Sequence, residues 1–137
     1  MNYEKLKLYT DGGARGNPGP AGIGAVILDK QGEVIEEISK YIGEATNNQA
    51  EYKALIAGLT KAKELGAKEV EVFLDSELVI KQLNREYRVK DKQLASLFVQ
   101  VYNISLGFKK IIFKHIFREK NELADKLVNQ ALDKAGK

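Results

Sequence analysis

Cysteine is absent from this chain, and histidine occurs once, at His115. Without cysteine there is no disulfide framework, no thiolate metal site and no cysteine nucleophile. One histidine cannot build a His-rich zinc centre. A metal held here would therefore take oxygen ligands, which suits Mg²⁺ or Mn²⁺. Tryptophan is also missing. No apolar run approaches the length of a membrane span. The N-terminal MNYEKLKLYT alternates charged and apolar residues and lacks the continuous apolar stretch of a signal peptide. The expectation is a soluble, cytoplasmic protein with no membrane partner. A large excess of one charge is lacking too: 22 Lys and Arg against 19 Asp and Glu leave a net charge of +3. That permits a polyanionic partner without demonstrating one.

What is present suits one compact domain over residues 1–137, at 44% hydrophobic and 30% charged. Leu6 to Thr10 alternates as a half-buried strand, and Asp11-Gly12 closes it. Gly12 to Gly24 holds six of the twelve glycines and both prolines, which reads as a tight turn able to approach a ligand. Ala21 to Leu28 and Val34 to Ile42 read as two more strands joined at Lys30-Gln31-Gly32, giving an antiparallel meander.

The period then becomes helical, with Ala50, Ala54, Ala57 or Gly58, Leu59 and Ala62 on one face. Thr46 or Asn47 caps this helix and Gly66 ends it. Val70, Val72 and Leu74 alternate as a strand reaching Asp75. Ser76 reads as the N-cap of the next helix, with Leu78, Val79 and Leu83 inward. A further helix covers about Lys92 to Leu106. Ile111, Phe113 and His115 share one face of a last strand, and Asn121 caps a final helix. The order βββ-α-β-α-α-β-α predicts an α/β fold with one mixed sheet, a meander extended by parallel strands through right-handed crossovers.

Four acids sit in short distinctive strings: Asp11 in YTDGG, Glu51 in TNNQAEY, Asp75 in FLDSE and Asp125 in NELAD. Singly, each has an ordinary reading as a turn residue, a strand exit or a helix-start acid. Asp75 lies where a strand ends and a helix begins, the place at which open α/β sheets put their sites. Glu51 and Asp125 lie near helix N-termini, which favours the ionised, ligating form. Two divalent ions about 3.5–4 Å apart need several anionic oxygens at one place, and these four acids supply them. No P-loop is present, and no G-x-G-x-x-G precedes a helix, so nucleotide binding by the glycine-rich segment is set aside.

YTDGGARGNPGPAGIGAVI, TNNQAEYKAL, LDSELVIKQL and REKNELADKL resemble, in order, the four motifs of type 1 ribonuclease H, from residue 8 to about residue 132. The resemblance implies a ribonuclease H-like five-stranded mixed sheet with helices on both faces. It implies that Asp11, Glu51, Asp75 and Asp125 hold two Mg²⁺ ions, with Mn²⁺ as a substitute. Water would cleave the RNA strand of an RNA–DNA hybrid, leaving 5′-phosphate and 3′-hydroxyl ends. Asn47 and Asn48 match positions near the RNA sugars, Gly12 and Gly13 line the same groove, and Thr46 and Asn17 are candidate phosphate contacts. A monomer is expected.

The chain also departs from the family. Many members carry a catalytic histidine in the loop after the last strand. Here that loop is Phe117-Arg118-Glu119-Lys120. Arg118 occupies it and could orient or release a phosphate, since guanidinium binds phosphate oxygens bidentately, or it is simply exposed. His115 is expected to pack. The basic, tryptophan-rich insertion of some bacterial members is reduced to Asn84–Asp91, with Lys81, Arg85, Arg88, Lys90 and Lys92 as a lesser handle for the DNA strand. Activity on double-stranded RNA, and a non-catalytic hybrid-binding module, are the alternative readings. Four retained carboxylates argue against the latter.

Overall fold

The computed structural model describes residues 3–137. Strands β1 (Lys5–Ala14), β2 (Gly19–Leu28) and β3 (Val34–Ala45) form the meander, followed by α1 (Asn47–Glu64) and β4 (Glu69–Leu74). Then come α2 (Glu77–Leu83), α3 (Lys92–Ser105), β5 (Lys110–His115), a 3-10 turn at Arg118–Lys120 and α4 (Glu122–Lys134). The five strands lie in the order β3-β2-β1-β4-β5. β1 pairs antiparallel with β2 and parallel with β4, and β4 pairs parallel with β5. This is the mixed α/β sheet that the periodicity predicts.

The core lies between the sheet and α1, with α3 packed beside α1. Leu6, Leu8, Ala25, Ile27, Val70, Val72 and Leu74 point into it from alternate strand positions. Tyr52, Leu55 and Leu59 meet them from α1, where Gly58 rather than Ala57 is the buried member of the stripe. Helix α4 covers the sheet over β2 and β3, so helices lie on both faces.

The glycine-rich segment departs from its sequence reading. β1 does not close at Asp11 but continues to Ala14, and β2 already begins at Gly19. Only residues 15–18 form the turn. Most of these glycines therefore serve packing. A Cβ on Gly12 would overlap the Ala50 carbonyl group and lie 2.6 Å from the Glu51 nitrogen. On Gly24 it would overlap the Ala124 carbonyl and lie 3.0 Å from the Leu127 Cβ. Bare backbone at these points lets α1 and α4 sit directly on the sheet.

Two helix readings also change. Leu78 is exposed, whereas Val79, Ile80 and Gln82 are the buried residues of α2. Val79, Ile80 and Leu83 share a helical face at i, i+1 and i+4, and Leu78 lies off it. Asn121 makes no side-chain capping bond. Its fully buried amide instead donates to the Thr10 carbonyl.

Candidate active site

Pairing between β1 and β4 ends at Tyr9 and Phe73. Asp11 and Asp75 each lie two residues beyond that last pair. Glu51 is brought over them by α1, whose start is fixed by a reciprocal capping box. The Thr46 hydroxyl accepts from the Gln49 amide at 3.1 Å, and the Gln49 side chain accepts from the Thr46 amide at 2.9 Å. Ser76 caps α2 by accepting from the Val79 amide at 3.3 Å, which sets the chain direction just after Asp75.

Asp11, Glu51 and Asp75 each place a carboxylate oxygen within 4.8 Å of the other two. Asp11 and Glu51 are buried, and Asp75 is half-buried. Burial first, then the charges of Asp75 and Asp125, push the Asp11 carboxyl up to about 7, against a hydrogen bond with Glu51 that lowers it. Glu51 is also held well above the usual carboxylate range, by burial first and then by Asp11 and Asp75. Glu51 lies in the second turn of α1, where desolvation and two acidic neighbours oppose the ionised form that the helix terminus favours. Glu51 Oε2 is buried without a hydrogen-bond partner.

These observations fit a divalent cation. The donor set is oxygen only, its charges repel one another, and one buried oxygen has no protein partner. Asp125 stands outside the trio, near enough to contribute to the Asp11 shift by charge and by hydrogen bond. Arg118 Nη2 lies 3.9 Å from Asp125 Oδ1, and its side chain is 81% exposed. The four acids and Arg118 thus form one cluster with the arginine at its rim.

The substrate-side residues divide into linked and unlinked groups. Asn47 Oδ1 accepts from the Ala14 amide at 2.8 Å, and the Asn47 amide donates to Asn17 Oδ1 at 3.0 Å. Ala14, Asn17 and Asn47 are thereby linked across the β1–β2 turn and the start of α1. Thr46 is the cap, so neither Asn47 nor Asn48 serves as one. Asn48 is half-buried in the first turn of α1.

Other links escape sequence reasoning. Arg15 reaches Asp133 at 2.9 Å and Asn129 at 3.4 Å, tying the turn to α4 across up to 118 positions of chain. Gln49 donates to Gln93, joining the starts of α1 and α3. No local signal announces either contact.

His115 does not pack as expected. It is exposed at the end of β5 and meets Phe117 edge-on with ring centroids 5.9 Å apart. In the reduced handle, Lys81 is engaged by Glu77 at 3.1 Å and by the Tyr87 ring, while Arg85 lies over the Tyr102 ring at 5.4 Å.

A five-stranded sheet in this order, with acids gathered where its central strands stop pairing, defines the ribonuclease H-like class of folds. Residues 9–131 match the family described as Reverse transcriptase-like. The chain is 34% identical to a ribonuclease H of Pseudomonas putida over 95% of each sequence. It is 43% identical to ribonuclease HI of Halobacterium salinarum, over 96% of this chain and 66% of that one. The crystal structure of the Halobacterium enzyme superposes with a TM-score of 0.93, at 42% identity, covering 95% of this chain and 98% of that one. LC11-RNase H1, solved in complex with an RNA/DNA hybrid, is 50% identical with a TM-score of 0.91, covering 96% and 99% of the two chains. The chain belongs to the type 1 ribonuclease H family. It also matches a bifunctional protein of Mycobacterium tuberculosis at 45% identity, spanning 36% of that relative's length.

Proposed function

We propose that this chain is an endonuclease that hydrolyses the RNA strand of RNA–DNA hybrids with two Mg²⁺ ions, or Mn²⁺ in their place. The observation that carries the reading is the meeting of Asp11, Glu51 and Asp75 oxygens within 4.8 Å in a member of this family. Asp11, Glu51 and Asp75 would hold the metal directly, with Asp125 completing the set beside Asp11. When bound, such ions activate the attacking water and stabilise the leaving oxygen of a phosphodiester. The products then carry 5′-phosphate and 3′-hydroxyl ends.

The remaining roles belong to the chain's own groups. Asn47 spends its side-chain oxygen on the Ala14 amide, which directs its NH₂ outward as a donor for a ribose hydroxyl. A contact of that kind separates RNA from DNA at a site. Asn48, Gly12 and Gly13 line the same side, and Asn17 and Thr46 flank it for phosphate. Arg118 supplies a guanidinium at the open rim, placed to hold a phosphate oxygen as product leaves. The complex of the LC11 relative with an RNA/DNA hybrid supports the substrate class.

The test compares labelled RNA–DNA hybrid, double-stranded RNA and single-stranded RNA, each with Mg²⁺, Mn²⁺ or EDTA. Metal-dependent cutting confined to the RNA strand of the hybrid is expected. Cutting of double-stranded RNA would widen the substrate class, and tight hybrid binding without cutting would make the chain a binding module.

A further inference from the structure

The carboxylates of Asp11 and Asp75 lie beyond the ladder that joins their strands, so the sheet alone does not fix their separation. Past Tyr9, β1 is held by β2, with Asp11 opposite Gly24. Past Phe73, β4 is held by β5, through Leu74 opposite His115 and the Ile116 amide donating to the Leu74 carbonyl at 3.0 Å. Glu51 moves with β1, because α1 rests on the bare backbone of Gly12. Asp75 moves with β4 and with α2, which begins two residues later. Some other contact has to set the distance between the Asp11–Glu51 half of the site and the Asp75 half.

The structure assigns that role to Tyr52 and Gln82. Tyr52 follows Glu51 directly and is fully buried; Gln82 lies in the last turn of α2 and is also buried. The Tyr52 hydroxyl donates to Gln82 Oε1 at 2.7 Å. Among the described residues it is the one side-chain hydrogen bond between α1 and α2. A buried polar pair of this kind is directional, whereas the apolar contacts around it tolerate sliding. Tyr52 and Gln82 are positioning residues: they hold α2, and Asp75 with it, at the reach that lets one cation contact Asp75 and Glu51 together. The inference rests on the metal-site reading above.

The test measures Mg²⁺ and Mn²⁺ binding by calorimetry for wild type, Tyr52→Phe, Gln82→Leu and the double variant, with thermal unfolding in EDTA alongside. Each single substitution is expected to weaken metal binding roughly three- to tenfold, less than the ten- to hundredfold typical of a direct hydrogen bond to a ligand. The double variant should bind metal no more weakly than the singles, because the same link is lost once. Its melting temperature should recover relative to the singles, because no buried polar atom is left unpaired. At saturating metal, kcat should return close to wild type. A metal affinity unchanged in Tyr52→Phe and Gln82→Leu, with only the melting temperature lowered, would make the pair a plain stabilising contact and overturn the proposal. Wild-type protein that binds neither cation would overturn the metal-site reading instead. Should one single variant fail to fold, the other and the double variant carry the same comparison.

Discussion

Asn121 donates its side-chain amide to the carbonyl of Thr10 at 2.9 Å, with both residues essentially free of solvent contact. The bond joins the start of α4, one turn before Asp125, to the strand residue immediately before Asp11. Two acids distant in sequence, Asp11 and Asp125, are thus fastened through their neighbours. Replacing Asn121 with Ala removes the donor and opens a small void, while the Thr10 carbonyl stays buried. A loss of about 1–3 kcal/mol is expected. Urea unfolding checks it: the midpoint should fall while the slope stays constant.

Burial of the site's acids, and after it their mutual repulsion, makes metal-free stability depend on pH. The folded Asp11 carboxyl sits at about 7 against an ordinary 3.8, so the fold favours its protonated form. That contribution is complete below the unfolded value and is lost as pH rises through the folded one, because the native state then binds more protons than the unfolded chain. Glu51 acts in the same direction. Asp11→Asn, neutral at every pH, is expected to melt above wild type in EDTA, by a margin that widens from pH 5 to pH 8. Adding Mg²⁺ at pH 8 should close the gap by stabilising wild type alone. A margin independent of pH would contradict the assignment.

The same substitution addresses the chemistry. Asp11→Asn and Asp75→Asn are each expected to abolish cleavage while leaving circular dichroism unchanged, since each removes an anionic oxygen from the trio. Cleavage near the wild-type rate in either would sink the carboxylate site.

Arg118 is 81% exposed and only loosely paired with Asp125 at 3.9 Å, so its removal should cost little stability. Arg118→Ala is expected to lower kcat on the order of tenfold, short of the hundredfold or more lost with a donor aimed at a reacting oxyanion. KM should move less than kcat. An unchanged kcat would return Arg118 to ordinary surface.

The gathering of Asp11, Glu51 and Asp75 was legible in the sequence because each acid is read from a short neighbourhood. Thr46 and Ser76 cap the helices next to Glu51 and Asp75, and capping is decided within four residues. What escaped depends on distant partners. Asn121 has the composition of a cap, but the nearby Thr10 carbonyl takes its amide instead. Tyr52 and Gln82 lie 30 positions apart, and Arg15 and Asn129 lie 114 apart. His115 alternates with Ile111 and Phe113 as a buried residue would, yet it is the last residue of β5 and is exposed where they are half-buried. Periodicity reports which face a residue occupies, not whether an element covers that face.

Gly12 and Gly13 show the same gap between local signal and distant cause. Both read as turn glycines, and both lie in β1. A methyl group on Gly12 would drive into the Ala50 carbonyl and the Glu51 amide of α1, all of it backbone that cannot rotate away. A methyl group on Gly13 would meet nothing closer than the Val128 Cγ1 at 3.8 Å and Asn47 Oδ1 at 4.0 Å, ordinary contact distances. Gly12→Ala must therefore push α1 off the strand and carry Glu51 away from Asp11. Overpacking of this kind costs about 1–3 kcal/mol, and metal binding should be lost in the protein that remains folded. Gly13→Ala should keep wild-type stability and wild-type metal affinity. Calorimetric titration with Mg²⁺ on both variants decides it: equal affinities would mean that the approach of α1 to Gly12 does not place Glu51.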